Sequence, residues 1–365
     1  MTGTGKHINR SSWKCPSNIA LVKYWGKHDF QLPMNPSLSF VLKNSYTETS
    51  VEIHRTGEEK VRFYFDGRTS AFGERIEKYL TSILGRLPWI AKYNFVIHSR
   101  NSFPHSAGIA SSASSFGALA LCLTELDFSI SGKAFSESEF YHEASELARM
   151  GSGSACRSVF PEFAIWGKTS LFESSSDQHA IPLKDGINPV FAELHDAILL
   201  VDSGTKQVSS SAGHQLMNNH IFQRPRIAQA HENLNEIYLA LLSGDVAKFI
   251  ETVESEALSL HAMMMTSNPS FILLKPNSLE LISRIRKFRE KTKVPVCFTI
   301  DAGPNIHLLY FQQDKVAVRS FIEEELLPLC ENRRWIDDEV GDGPEQLKNV
   351  SGFELRDADK NDLNT

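Results

Sequence analysis

The sequence predicts an α+β protein of two domains, and three observations carry that reading. At 365 residues the chain has room for two domains of about 150 residues each. Its first half alternates strand-like and helix-like segments. Its second half runs three helices into a strand–turn–strand–helix unit, the pattern of helices gathered on one face of a sheet. Apolar residues make up 41% and charged residues 22%, so each domain can bury a core, and disorder is excluded for the chain as a whole.

The elements follow in order. Residues 50–54 and 61–65 alternate as half-buried strands, with a turn at Asp66–Gly67. Residues 74–87 place Ile76, Leu80, Ile83 and Leu87 on one helical stripe. A strand over 94–98 leads into a small-residue stretch and a helix through Leu126. Residues 136–150 form a helix with Phe140, Ala144 and Leu147 on one face. Residues 163–166 and 197–201 read as buried strands. Between them, 173–188 turn polar and predict a surface excursion, with a domain boundary near Glu193. Helices are expected over 224–242, 246–265 and 278–291. Then come a strand over 296–300, a turn over 301–305, a strand over 306–311 and a helix ending near Leu327. The division is therefore 1–192, 193–330, and an acidic tail over 331–365 that is expected to be partly mobile. No internal repeat is visible.

Net charge is −6, which argues against a protein that binds nucleic acid by neutralising its phosphates. The tail from Glu331 holds ten acidic and five basic residues, so the other 330 residues carry only −1. An anionic ligand would therefore rest on a few placed cations. Five widely spaced cysteines show no metal-ligand spacing, as expected of reduced thiols in the cytoplasm. The polar N-terminus lacks the apolar run of a signal peptide. No membrane segment is expected, because the dense apolar run at 116–123 is too short to span a bilayer.

Walker, GxGxxG, GxSxG and HExxH patterns are all absent, which disfavours several common hydrolase and nucleotide-binding chemistries. Residues 104–114 form a loop of small side chains between a strand and a helix. Such a loop lets several backbone N–H groups converge on an anion at the positive end of the helix, with Ser hydroxyls reaching a phosphate or a metal ion. The competing reading, close packing of helix on sheet, weighs equally from composition. Residues 151–157 (Gly-Ser-Gly-Ser-Ala-Cys-Arg) offer two hydroxyls and a guanidinium suited to a carboxylate or phosphate. A plain helix cap explains them somewhat better when they are taken alone. Strand alternation over residues 17–27 predicts Lys23, Trp25 and Lys27 on one side and Tyr24 on the other. An edge strand with solvated lysines is the commoner case. Asp301, at a strand end before a turn, is either a turn former or a general base. A third hydroxyl-rich loop covers 208–214. Together these pieces equip a protein for phosphoryl transfer to an anionic substrate.

The chain resembles the mevalonate diphosphate decarboxylases of the GHMP kinase superfamily. The matching residues are Asn18-Ile19-Ala20 with Lys-Tyr-Trp-Gly-Lys at 23–27, then 104–112, 151–158, 208–213 and 301–305, in the family's order. The resemblance implies a ribosomal protein S5 domain 2-like N-terminal domain and a ferredoxin-like C-terminal domain, with the site between them. It implies Asp301 as catalytic base, Lys23 as the lysine that supports developing charge, and Arg157, oriented by Asn18, as the grip on the substrate carboxylate. Tyr24, Lys27, Ser152 and Ser154 would hold the diphosphate, with Ser209 and Ser210 as further substrate contacts. Gly108, Ser111 and Ser112 would form the ATP phosphate loop, Ser99 a nucleotide contact, and Ser112 a Mg²⁺ ligand. ATP and Mg²⁺ are the implied cofactors, and a homodimer the implied assembly. Sister kinases that stop at 3-phosphorylation, and a non-catalytic binding homologue, remain alternatives. Three departures stand out: His28 where many members have Arg, Pro161-Glu162 where many have two glycines, and Ser211 where several bacterial members have Arg.

Overall fold

The computed structural model describes residues 9–55, 59–104, 109–202, 204 and 210–348, without the side chains of 210–212. The chain opens with the 13-residue strand β1 (Arg10–Val22). A small ribbon follows, β2 (Lys27–His28) with β3 (Leu32–Pro33), and then the 18-residue strand β4 (Ser37–His54). β1 and β4 pair antiparallel, with register shifts at Pro16/Asn18 and Ala20/Val22. After Val22 the backbone leaves the ladder, so the predicted alternation of Lys23, Trp25 and Lys27 does not arise. Lys23 and Trp25 are buried instead.

Next come β5 (Val61–Phe65), β6 (Arg68–Thr69), α1 (Phe72–Ser82), β7 (Asn94–Asn101), α2 (Ser111–Ser131), α3 (Glu137–Gly151) and α4 (Ala155–Ser158). Two short strands follow, β8 (Phe163–Trp166) and β9 (Ala180–Leu183). β9 falls inside the segment predicted to be a polar excursion, and both its ends are buried. α3 starts on a reciprocal capping box between Ser136 and Glu139. α2 packs against β1, β4 and α3, and Phe116, Leu119 and Leu123 meet Trp13 and Ile97 in one core. Its 21 residues are longer than the apolar run suggested, and long and apolar enough to cross a membrane, but 67% of its most apolar window is buried in the fold. Burial on nearly all sides accounts for that composition.

The second half adds β10 (Leu194–Leu199), α5 (Ser210–Gln215), α6 (Gln223–Ser243), α7 (Val246–Met265) and α8 (Pro276–Thr292). It ends with β11 (Cys297–Thr299), β12 (Ile306–Phe311), α9 (Lys315–Phe321), β13 (Trp335–Glu339) and β14 (Glu345–Gln346). One sheet runs β14–β1–β4–β7–β5–β6, with β8 on β4 and β9 on β8; the other runs β11–β12–β10–β13. All these pairings are antiparallel except β5 with β7.

Residues 331–348 depart from the expected mobile acidic tail. β13 pairs with β10, and β14 pairs with β1, so this segment joins both sheets. Its acids are individually engaged: Arg319 donates to Asp337, the Asn44 N–H to Asp338 (2.8 Å) and Lys43 to Glu339 (2.6 Å). Low apolar content therefore does not mean lack of order here. The remainder, 349–365, lies outside the described residues. At the Pro161-Glu162 departure, Glu162 holds φ +49°, a left-handed conformation that explains why glycine suits this position. One core cluster combines Ile19, Leu21 and Phe40 with Ile198, Phe249 and Leu309. It brings the end of β1 to the end of β11, where the Thr299 hydroxyl donates to the Ala20 carbonyl at 3.2 Å.

Candidate active site

At that junction Lys23 Nζ lies 2.7 Å from Asp301 Oδ1, with side-chain exposures of 2% and 30%. The two residues stand 278 positions apart. Lys23 follows the end of β1 and Asp301 follows β11, so each strand terminates by presenting a charge to the other. Asp301 keeps enough exposure for a ligand to reach it, whereas Lys23 is enclosed.

Arg157 sits in α4, 1% exposed. Its Nε donates to Ser39 Oγ (2.8 Å), its Nη2 to Asn18 Oδ1 (3.2 Å) and its Nη1 to Ser37 Oγ. All three acceptors are neutral, and no carboxylate pairs with Arg157 among the described residues. Its guanidinium also lies over the rings of Tyr24 and Trp166, at 5.6 and 5.9 Å. Burial lowers its pKa, while the charge of Asp301 acts in the opposite direction. A buried cation without a counter-ion is costly, and a ligand carboxylate would supply that counter-ion. Asn18 is fixed in turn by donating to Ser154 O (3.1 Å) and Ser158 Oγ (2.8 Å).

The second small-residue loop closes the site. α3 ends at Ser152, whose hydroxyl lies 3.2 Å from the Ser112 hydroxyl, so the two loops meet. Gly153 is needed there, because a Cβ would stand 2.7 Å from Trp166 Cη2 and 3.1 Å from Tyr24 Oη. Tyr24 is half-buried, and the loss of solvent around its phenol raises its pKa. Its ring stacks on His214 at 4.6 Å. Lys27 donates to Gln31 Oε1 (2.6 Å). Burial, then the nearby Arg75 charge, lowers its pKa to about 8. Burial and the charge of Lys27 also hold His214 well below its ordinary pKa. Lys27 and Arg75 thus form a basic wall, with the neutral His214 ring beside Lys27. Arg75, over the Phe116 ring at 5.0 Å, escaped the sequence reading because one arginine on the outer face of α1 carries no motif.

The first loop runs into α2, whose N-terminal residue Ala110 provides no side-chain cap. The Ser111 and Ala113 N–H groups donate to the Ile109 and Ala110 carbonyls (2.6 and 2.8 Å), and the positive end of the helix dipole suits an anion. Ser111 and Ser112 stand at this end, both half-buried. Ser112 offers a hydroxyl, which fits a Mg²⁺ carried by nucleotide phosphates better than a cage built by protein alone. The one His/Asp/Glu group with metal-like spacing among the described residues is His142, Glu143 and Glu146, and Arg86 already occupies both glutamates at 2.7 and 2.6 Å. Ser99 does not fit the expected nucleotide contact. It is 4% exposed in β7, and its hydroxyl lies 3.0 Å from that of Thr49, so the sheet claims it. Gly108 and Ser209 lie outside the described residues, as do the side chains of Ser210 and Ser211.

A strand-end lysine facing a strand-end carboxylate, in a fold that also offers a helix N-terminus suited to an anion, is the equipment of an enzyme that transfers a phosphoryl group to a small molecule. The chain belongs to the diphosphomevalonate decarboxylase family. Residues 15–178 match the family model for the diphosphomevalonate decarboxylase-like N-terminal domain, and residues 197–356 that for the mevalonate 5-diphosphate decarboxylase C-terminal domain. The diphosphomevalonate decarboxylase of Candida albicans is 31% identical over 327 residues, covering 84% of this chain and 86% of that protein. The solved mevalonate diphosphate decarboxylase of Staphylococcus aureus is 31% identical with a TM-score of 0.80, covering 93% of this chain and 98% of its own. A structure described as MDDEF in complex with MVAPP, AMPPCP and magnesium is 29% identical with a TM-score of 0.80, covering 93% and 99%.

Proposed function

We propose that this protein decarboxylates mevalonate 5-diphosphate at the expense of ATP, giving isopentenyl diphosphate by way of 3-phosphorylation. The observation that carries the reading is Arg157, a fully buried guanidinium with only neutral partners, close enough to Asp301 to sense its charge. A kinase acting on a hydroxyl needs a base and a cation; a buried bidentate grip for a carboxylate suits a reaction that also expels one. Mg²⁺-bound ATP, when present, supplies the phosphoryl group. Asp301 accepts the proton of the substrate's tertiary hydroxyl, and Lys23 supports the negative charge growing on that oxygen. Arg157, held by Asn18, Ser37 and Ser39, fixes the carboxylate so that the C–C bond lines up with the breaking C–O bond. As phosphate departs, the C–C electrons form the new double bond and carbon dioxide leaves. Tyr24, Lys27, Ser152 and Ser154, with Ser209 and Ser210, are assigned to the diphosphate. Ser111, Ser112, Gly108 and the α2 N-terminus are assigned to the nucleotide. Five unpaired cysteines, all buried, support a cytoplasmic setting. A homodimer is proposed from family resemblance.

The test is to incubate the protein with Mg²⁺-ATP and each of mevalonate, its 5-phosphate and its 5-diphosphate, following ADP and carbon dioxide together. Equal amounts of both from the diphosphate are expected. ADP without carbon dioxide would mark a 3-kinase instead, and neither product from any substrate a binding homologue.

Lys27 gives a pH dependence. Its ammonium is charged below about pH 8 and neutral above, so the free enzyme loses part of its attraction for the diphosphate as pH rises through 8. Bound diphosphate restores the ammonium by favouring its charged form. The expected result is a fall in kcat/KM above pH 8 with kcat level, and loss of that inflection in Lys27→Gln. An unchanged profile in the variant would remove Lys27 from the anion site.

A further inference from the structure

The segment 23–26 belongs to neither helix nor strand, yet Lys23 and Trp25 are buried, so its backbone groups need partners. Side chains supply them. The Lys23 N–H donates to Glu256 Oε2 (2.8 Å), and the Lys23 carbonyl accepts from Arg226 Nη2 (2.8 Å) and Asn35 Nδ2 (3.0 Å). Arg226 and Glu256 are 2% and 0% exposed and grip each other through two bonds, Nη1 to Oε1 at 2.8 Å and Nη2 to Oε2 at 2.6 Å. Asn233 donates a further bond to Glu256 Oε1 at 2.5 Å. A buried ion pair is weak evidence for stability; this one ends on both peptide groups of Lys23. One turn and a half along the same α7, the His261 ring Nε2 lies 3.1 Å from the Asp301 carbonyl. Burial lowers the His261 pKa to about 4, so the ring is neutral and Nε2 carries the proton it donates.

We propose that α7 is a ruler for the reacting pair: Glu256, locked by Arg226, sets Lys23, and His261 sets Asp301, so one rigid helix fixes their separation across the junction of the two sheets. These three are positioning residues, since each acts through the backbone of Lys23 or Asp301. The idea rests on the assignment of Lys23 and Asp301 as the reacting pair. Over such a site, a displacement near 1 Å costs of the order of 100-fold.

The test uses full-length His261→Leu, which removes the donor, His261→Gln, which keeps an N–H, and Glu256→Gln, which keeps an acceptor for Lys23 but weakens the Arg226 lock. In His261→Leu, kcat is expected to fall 10- to 100-fold with KM for both substrates within about twofold. His261→Gln recovers most of that loss, and Glu256→Gln falls between. A second measurement needs no turnover: reductive methylation of the ligand-free protein, read by peptide mass spectrometry. Lys23 stays unlabelled in the wild type and becomes labelled in His261→Leu and Glu256→Gln while the unfolding midpoint shows the proteins still folded. Unchanged kcat in His261→Leu, or equal losses in the Leu and Gln variants, overturns the ruler. If a variant fails to fold, the remaining two decide. A wild-type protein that forms no carbon dioxide refutes the proposed function alone, because the labelling pattern still reports the positioning.

Discussion

Asp301→Asn lowers kcat by about 1,000-fold, within the range for removing a general base, while KM for ATP and for the diphosphate stays within a few-fold. The amide keeps the shape of the carboxylate and its place after β11 but takes no proton from the substrate hydroxyl. It also leaves the Lys23 ammonium, 2% exposed, without the acid now 2.7 Å away. A buried charge stripped of its partner is destabilising, so the unfolding midpoint falls too. The double variant Asp301→Asn/Lys23→Met separates the two effects: stability returns because no lone charge is left, and activity does not. Full turnover in Asp301→Asn would refute the assignment of the base. Recovery of activity in the double variant would show that the single variant fails only through misfolding.

How far the sequence reveals this site depends on what each residue's neighbours in the chain can signal. Asp301 is legible because a carboxylate at the end of an apolar run and before a turn is a local pattern. Arg157 is legible in part: glycines ending α3, then hydroxyls and a guanidinium, mark an anion loop, but that no carboxylate pairs with it among the described residues is a property of packing. The pairing of Lys23 with Asp301 spans most of the chain and has no local trace. Strand alternation placed Lys23 with the wrong neighbours, because the backbone leaves the β1–β4 ladder at Val22. Arg226, Glu256 and His261 did leave a signal. On α6, Arg226 shares the buried stripe with Ala230, Leu234 and Ile237, and on α7, Glu256 and His261 lie among Val253, Ala257 and Leu260. A charge on an apolar stripe must find a buried partner, and reading the helices only for their apolar residues passes over it. In the fold, long helices and the paired strands β11 and β12 follow from periodicity. β13 does not, because its acids draw partners from distant segments, Asp337 from Arg319, Asp338 from Asn44 and Glu339 from Lys43.

Arg157→Met separates binding from stability in the opposite sense to Asp301→Asn. In the ligand-free protein the guanidinium is buried against Ser37, Ser39 and Asn18, all neutral, so no ion pair is lost when it is removed. The hydroxyls can donate elsewhere, Ser37 already lying 3.3 Å from the Trp166 carbonyl. Methionine fills much of the same volume beside Tyr24 and Trp166 without the desolvation penalty of a cation, and exchanging buried charge for apolar volume is often neutral or stabilising. The unfolding midpoint is therefore expected to stay level or rise. Substrate binding suffers, because the carboxylate would enter a site with no charge to meet it. The loss in kcat/KM is about 3 kcal/mol, roughly 100-fold. Arg157→Lys recovers little of it, since a point charge on a flexible stem does not reproduce the planar fork. In the proposed mechanism phosphoryl transfer rests on Lys23 and Asp301 and carboxylate alignment on Arg157, so the variant is also expected to uncouple the two stages, with ADP forming in excess of carbon dioxide. A variant with kcat/KM within threefold of the wild type would show that the carboxylate is held elsewhere. A steep fall in the unfolding midpoint would show that Arg157 is first a structural residue, its hydroxyl network holding β1, β4 and α4 together, and only second a ligand for the substrate.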